Sequence, residues 1–274
     1  MKRRFVLALP ALVACSRPEP RRAAIDPLLA VGRDLDEVSA GDEAFSVAEL
    51  GRIANQIAES MTAVAPGEGT AARVSRLNQV IFGELGFVRE VESTALDCVL
   101  LPLVLRGRRG SCVGLGSLYL ALARSLALPL TGVLRPGHFH VRSLDGGAPQ
   151  NFELLRRGES MPEAWYREKY PALSGASVYG RPLSASEVRG VVEFNVGNER
   201  RRLGRLAAAR QAYERAVEHF PAFGEAHASL GAVLHLVGAL EAAERAYAAA
   251  QRVDPALPGL ARNIELLARE RARH

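Results

Sequence analysis

Two stretches of the C-terminal third repeat each other 34 residues apart, and this spacing restricts the fold more than any other feature. Val196, Gly197, Ala209, Tyr213, Ala216 and Pro221 recur as Leu230, Gly231, Ala243, Tyr247, Ala250 and Pro255. Small residues at fixed offsets let two helices approach closely, and a proline cannot continue a helix. A unit of this length holds one helix pair, whose apolar face is buried only when a neighbour stacks on it. Residues 258 to 273, with Leu260, Ile264 and Leu267, then supply a helix that closes the stack. The expectation for 189–274 is therefore an all-helical end.

The other end has a different logic. "MKRRFVLALPALVACS" carries a basic start, a short apolar segment from Phe5 to Val13, and Ala14 just before Cys15. That segment is too short to span a bilayer, and it has the layout of a secretory leader over 1–15. Its end resembles the lipobox of bacterial lipoproteins. The resemblance implies lipid attachment at Cys15, a membrane anchor in the bacterial envelope and, with Ser16 following, the outer membrane facing the periplasm. Removing Lys2, Arg3 and Arg4 with the leader would take the formal charge from +5 to +2. The remaining arginines alternate with glutamates on helical stretches, and no basic and aromatic platform points to nucleic acid. Residues 16–42, rich in Pro, Arg and Asp, read as a tether.

Between these ends, 43–188 read as an α+β domain. Val47, Leu50, Ile53, Ile57 and Met61 recur at helical spacing, as do Val74, Leu77, Val80, Ile81 and Leu85. An apolar run from Leu96 to Leu105 leads into "RGRRGS". From Cys112 to about Leu126 apolar residues lie nearly all round a helix, which predicts a central, covered position. "LTGVL", "HFHVRSL" and "NFELL" follow as short strands separated by turn residues. Helices first and antiparallel strands after give the α+β expectation.

Cys112 opens the covered helix, directly after Gly110 and Ser111. A thiol at a helix N-terminus lies near unpaired backbone amides and the positive end of the macrodipole, which favour a thiolate. Such a nucleophile needs an imidazole, and the imidazole needs a third group to orient it. His138 and His140 lie two apart on one strand and share a face, as do Asn151 and Glu153 on the next. Either Asn151 or Glu153 could accept from a histidine ring.

Four motifs, "LNQVIFGELGF", "RRGSCVGLGSLYLALARSLALPLTGVL", "PGHFHVR" and "NFE", resemble the transglutaminase-like branch of the papain-like cysteine enzymes. The similarity extends over roughly 45 to 260 and is closest to bacterial members ending in tetratricopeptide repeats, which the 34-residue pattern resembles. It implies a core of helices packed on a small antiparallel sheet. It also implies Cys112 as nucleophile, His138 after Pro-Gly as general base, and Glu153 as orienting residue where the family usually has Asp. Asn78 and Asn151 are possible supporting residues. The implied activity is thiol-dependent hydrolysis or acyl transfer on amides of a protein or peptide, with no cofactor.

A reading from another class stays open: a non-catalytic scaffold or peptide-binding lipoprotein acting through its repeats. Cys98, inside an apolar segment, is expected to be a buried thiol and not the disulfide partner of Cys112. His140 is expected to be structural or substrate-facing. Trp165, Tyr166 and Tyr170 would cover a core edge or line a cleft. No histidine pair has the spacing of a helical zinc site, so no metal is expected.

Overall fold

The computed structural model describes residues 26–31, 39–61, 69–90, 95–145, 149–172 and 178–273. The leader, Cys15 and most of the tether lie outside the described residues. Among the described residues, no helix is long and apolar enough to cross a membrane.

The chain opens with α1 (Ala40–Met61) and α2 (Thr70–Asn78), the latter running on as a π-helical turn over Gln79–Glu84. A two-residue strand, β1 (Val88–Arg89), pairs in parallel with β2 (Arg109–Gly110). Between them the Leu96–Leu105 run folds as two short helices, α3 (Leu96–Val99) and α4 (Leu101–Gly107), with Leu100 extended between them. The cause is Pro102. An unbroken helix would need an N–H at 102 for the Cys98 carbonyl, and proline has none.

Next comes α5 (Cys112–Ser125), in which every residue from Val113 to Ala123 is buried. Its all-round apolar surface is matched by cover on all sides. Helices α1, α3 and α4 pack on it, and so does a four-stranded antiparallel sheet. The strands are β3 (Leu130–Arg135), β4 (His138–Ser143), β5 (Asn151–Glu153) and β6 (Glu159–Met161), in sequence order. The β3–β4 turn is Pro136-Gly137. Proline presets the first turn position and Gly137 takes the left-handed one at φ 66°, so Arg135 pairs with His138. The strand expected over "NFELL" stops at Glu153, whose carboxylate accepts from the Leu155 amide and starts a 3-10 turn at Leu154–Arg156. A short helix, α6 (Glu163–Lys169), follows β6.

Five helices finish the fold: α7 (Ala185–Arg202), α8 (Leu206–His219), α9 (Gly224–Leu236), α10 (Leu240–Val253) and α11 (Leu260–Arg271). Ser184 and Glu187 form a capping box that starts α7. The bounds of α8 and α10 are 34 residues apart at both ends. The packing repeats too. A Cβ on Gly197 would sit 2.5 Å from the Tyr213 ring, and one on Gly231 would sit 2.6 Å from the Tyr247 ring.

The sequence boundary between 188 and 189 falls inside α7. Val188, Val191, Val192 and Val196 of this helix share one apolar core with α5, and that core continues to Phe220, Phe223 and Ala226. A second core begins at Ala209 and Tyr213 and runs to Leu267.

Candidate active site

Cys112 owes its position to the break at Pro102. The Cys98 carbonyl accepts from the Ser111 amide at 2.8 Å and from Ser111 Oγ at 3.0 Å. The same Oγ accepts from the Gly114 amide at 3.3 Å, so Ser111 is the N-cap of α5. Gly114 lies so close to α3 that a Cβ there would overlap the Cys98 carbonyl oxygen. Backbone meets backbone, and Cys112 is held half-buried at the first position of the helix.

His138 is at the first rung of β4, buried beside Glu153. Its Nε2 lies 2.7 Å from Glu153 Oε2, and the ring lines the same cleft as Cys112. With Nε2 facing the carboxylate, Nδ1 is the nitrogen left for sulfur. The structure thus brings Cys112, His138 and Glu153 together.

The β4–β5 register explains which residue orients which histidine. Val141 pairs with Phe152 and Arg142 with Asn151, so Glu153 continues the ladder opposite His140, not His138. Both polar residues reach diagonally along β4, a span open to longer side chains. Asn151 Oδ1 lies 3.3 Å from His140 Nε2 and accepts from Arg142 Nε at 2.6 Å. Glu153 makes the parallel diagonal to His138. The extra methylene of Glu relative to Asp suits that reach, and Asn151, one rung off, is not the orienting group.

Asn78 is also away from this cluster. Its amide donates to the Gly158 carbonyl at 2.9 Å, and its oxygen accepts from the Tyr119 hydroxyl, so it ties α2 to the turn after β5. Cys98 is buried and not bridged to Cys112. His140 is fully buried and stacked on Tyr166, with ring centroids 3.8 Å apart.

Four neighbours were not singled out as site residues from sequence. Tyr170 stacks on His138 with centroids 4.1 Å apart and planes 7° from parallel, a geometry that favours a cationic ring. Glu163 of α6 pairs with both Arg135 and Arg142, the latter at 2.7 Å. Together they lock α6 over the histidine-bearing strand. The aromatic run at 165–170 was the visible signal; the two arginines read as ordinary strand residues.

The two histidines titrate in opposite directions. Burial alone would lower His138, but hydrogen bonds to Cys112 and Glu153 outweigh it and raise the pKa from 6.5 to about 9. Burial, reinforced by the charges of His138, Arg142 and Arg135, lowers His140 to about 2. Between 6.5 and 9 the folded state holds a proton on His138 that the unfolded chain has lost, so stability falls as pH rises. Below 6.5 the unfolded chain protonates His140 while the folded state does not, so stability falls as pH drops. Each slope is at most about 1.4 kcal/mol per pH unit. Urea unfolding between pH 4 and 10 is expected to give greatest stability near pH 6.5. A His138→Gln protein should lose the alkaline limb; an unchanged limb there would refute the assignment.

A cavity of about 240 Å³ opens beside Cys112 and His138. Among the described residues, no group of three or more His, Cys, Asp or Glu is placed to hold a metal ion.

A thiol at a helix start, an imidazole on the second strand of the following sheet and a carboxylate on the third thus lie together at one place in the fold. A family model described as the transglutaminase-like superfamily matches residues 45–198, more than half of the chain. The chain belongs to that superfamily. A search of curated proteins found no match.

Proposed function

We propose that this protein is a thiol-dependent hydrolase or acyltransferase acting on protein or peptide amides. The observation that carries this is His138, held by Glu153 at 2.7 Å, lining one cleft with Cys112 at the N-terminus of α5. His138 takes the thiol proton, and sulfur attacks the acyl carbon. The Cys112 and Val113 amides of the first turn of α5 are offered to the developing oxyanion, the Gly114 amide being held by Ser111 Oγ. The carbon–nitrogen bond breaks, His138 returns the proton to the departing amine, and a thioester remains on Cys112. Water or a second amine then releases the acyl group and regenerates the thiol.

The reading further holds that α7 to α10 are two tetratricopeptide repeats, capped by α11. The repeated glycine–tyrosine contact and the 34-residue displacement support it. The leader pattern supports an envelope lipoprotein anchored through Cys15 and facing the periplasm. Detergent-phase partitioning that is lost on Cys15→Ala tests that part.

The catalytic part is tested with iodoacetamide at neutral pH. Cys112 is expected to alkylate faster than free cysteine, and His138→Ala should remove the advantage. Labelling at the rate of free cysteine would defeat the proposal. A second reading, binding without catalysis, would then take its place. It is favoured by a groove of about 410 Å³ between α10 and α11, lined by Tyr247, Gln251, Ile264 and Arg271.

A further inference from the structure

Glu153 uses both of its carboxylate oxygens, and they face different parts of the fold. Oε2 lies 2.7 Å from the His138 ring, while Oε1 accepts from the Leu155 amide at 3.0 Å. The turn that follows, residues 154–158, therefore sets the direction of the carboxylate. It closes on itself: the Gly158 amide donates to the Glu153 carbonyl at 2.9 Å and the Arg157 amide to the Leu154 carbonyl at 3.1 Å. Arg157 takes a left-handed φ of 58°, uncommon for a residue with a side chain, and Gly158 follows at 77°.

Three hydrogen bonds tie this turn to elements earlier in the chain. Asn78, at the end of α2, donates to the Gly158 carbonyl at 2.9 Å, and a Cβ on Gly158 would overlap the Asn78 amide. Asn78 is itself held by the hydroxyl of Tyr119, a fully buried residue of α5. Arg157 reaches the other way and donates to the Phe82 carbonyl at 2.7 Å. Phe82 lies near the end of the π-helical turn, where carbonyls run out of partners within the helix. Arg89 of β1 donates to the Leu155 carbonyl. Its strand pairs with β2, and Gly110 of β2 stands two residues before Cys112. The ties thus meet the carboxylate-bearing turn on one side and the approach to the thiol on the other.

We infer that Asn78, Arg89 and Arg157 are positioning residues for the His138–Glu153 pair, acting through the 154–158 turn although none of them lines the cleft beside the thiol. This deepens the proposed function and rests on that reading only for the rate it would affect. Cutting a tie frees the turn to shift, and Oε1 and the Leu155 amide move with it. Oε2 then spends less time at the ring, and the charge-assisted bond to the imidazolium weakens.

The test reads the pKa of His138 from NMR titration of its ring protons. The variants are Asn78→Ala, Arg89→Ala and Arg157→Gly, each alone and combined with Glu153→Gln. Glycine at 157 removes the guanidinium and keeps the left-handed backbone without strain. The ring is also faced by Cys112 of α5, His140 of β4, Tyr166 of α6 and Tyr170 just beyond it, and all four stay in place. With Glu153 present, each variant is expected to lower the His138 pKa by at least about 0.5, roughly a threefold change in its proton equilibrium. In the Glu153→Gln background the change should vanish, because no carboxylate is left to aim. Arg89 and Arg157 are exposed, so their variants carry the test even where Asn78→Ala does not fold. An unmoved His138 in a folded variant removes that residue from the set, and unmoved values in both arginine variants would overturn the inference. So would changes as large in Glu153→Gln as with Glu153 present, which would mark a general loosening of the fold. Slow iodoacetamide labelling of the wild type, by contrast, would defeat the catalytic proposal and leave these titrations as they are.

Discussion

Replacing Glu153 by Gln is expected to slow alkylation of Cys112 at neutral pH by about tenfold, because the thiolate share falls toward that of free cysteine, a few per cent at pH 7. The carboxylate does two things at once. It accepts from Nε2 at 2.7 Å, which fixes the tautomer that leaves Nδ1 toward sulfur. It also places a negative charge beside a buried ring that is otherwise penalised for being charged. A neutral amide of the same size keeps neither with certainty of direction, because its NH₂ can point at the ring. The pKa of His138 should then fall from about 9, and the pH profile of alkylation should move with it. Glu153→Ala adds a structural cost of about 1–3 kcal/mol, because the Leu155 amide loses its acceptor. Glu153→Asp is the sharper test of the diagonal. A side chain shorter by one methylene is expected to lose most of the rate while leaving the charge in place. Equal alkylation rates for wild type and Glu153→Gln across pH 6 to 9 would remove Glu153 from the site.

The largest effect on stability is expected at Gly114. A methyl there would overlap the Cys98 carbonyl oxygen and sit 2.9 Å from Val104 Cγ2. Overfilling a packed interior typically costs about 1–3 kcal/mol, and this case lies at or above the upper end because the main obstacle is backbone. The damage is also local to function. The carbonyl that must move is the one that holds Ser111, and with it the start of α5. Gly114→Ala should therefore lower both the urea midpoint and the alkylation rate of Cys112. Gly51 is the control: it lies inside α1 with nothing within 4 Å of the added Cβ, and Gly51→Ala should stabilise by about 0.5–1 kcal/mol. A Gly114→Ala protein as stable as wild type would mean that α3 and α5 are not packed as described.

Features set by neighbours in the chain were legible beforehand. The covered helix from Cys112, the Pro136-Gly137 turn that starts β4 at His138, and the paired helices at 34-residue spacing all follow from local pattern. What escaped depended on register or on contacts between distant segments. Asn151 and Glu153 share a strand face, and only the pairing of Val141 with Phe152 decides that the second, not the first, reaches His138. Asn78 resembled a site residue in its motif, yet its partners Tyr119 and Gly158 lie 41 and 80 positions away. Helix α6 is only seven residues long, too short for periodicity to reveal, although it carries Tyr170's neighbours and the glutamate that binds both arginines. The break at Pro102 was visible as a residue, but not the use the freed carbonyl would find.

Helix α7 has a consequence for how this architecture can vary. Its valines complete the interior beneath α5, and its Phe194 and Asn198 face the cleft, so it belongs to both halves of the molecule. The helical stack is consequently not a detachable accessory. A chain cut after α7 would lose Phe220, Phe223 and Ala226 and bare the part of the shared interior that they cover. Exchanging the stack for one from a relative would, for the same reason, transplant a wall of the cleft along with it. On the proposed function, changing the segment that looks like an adaptor would change what the cleft admits while the thiol, imidazole and carboxylate stay as they are.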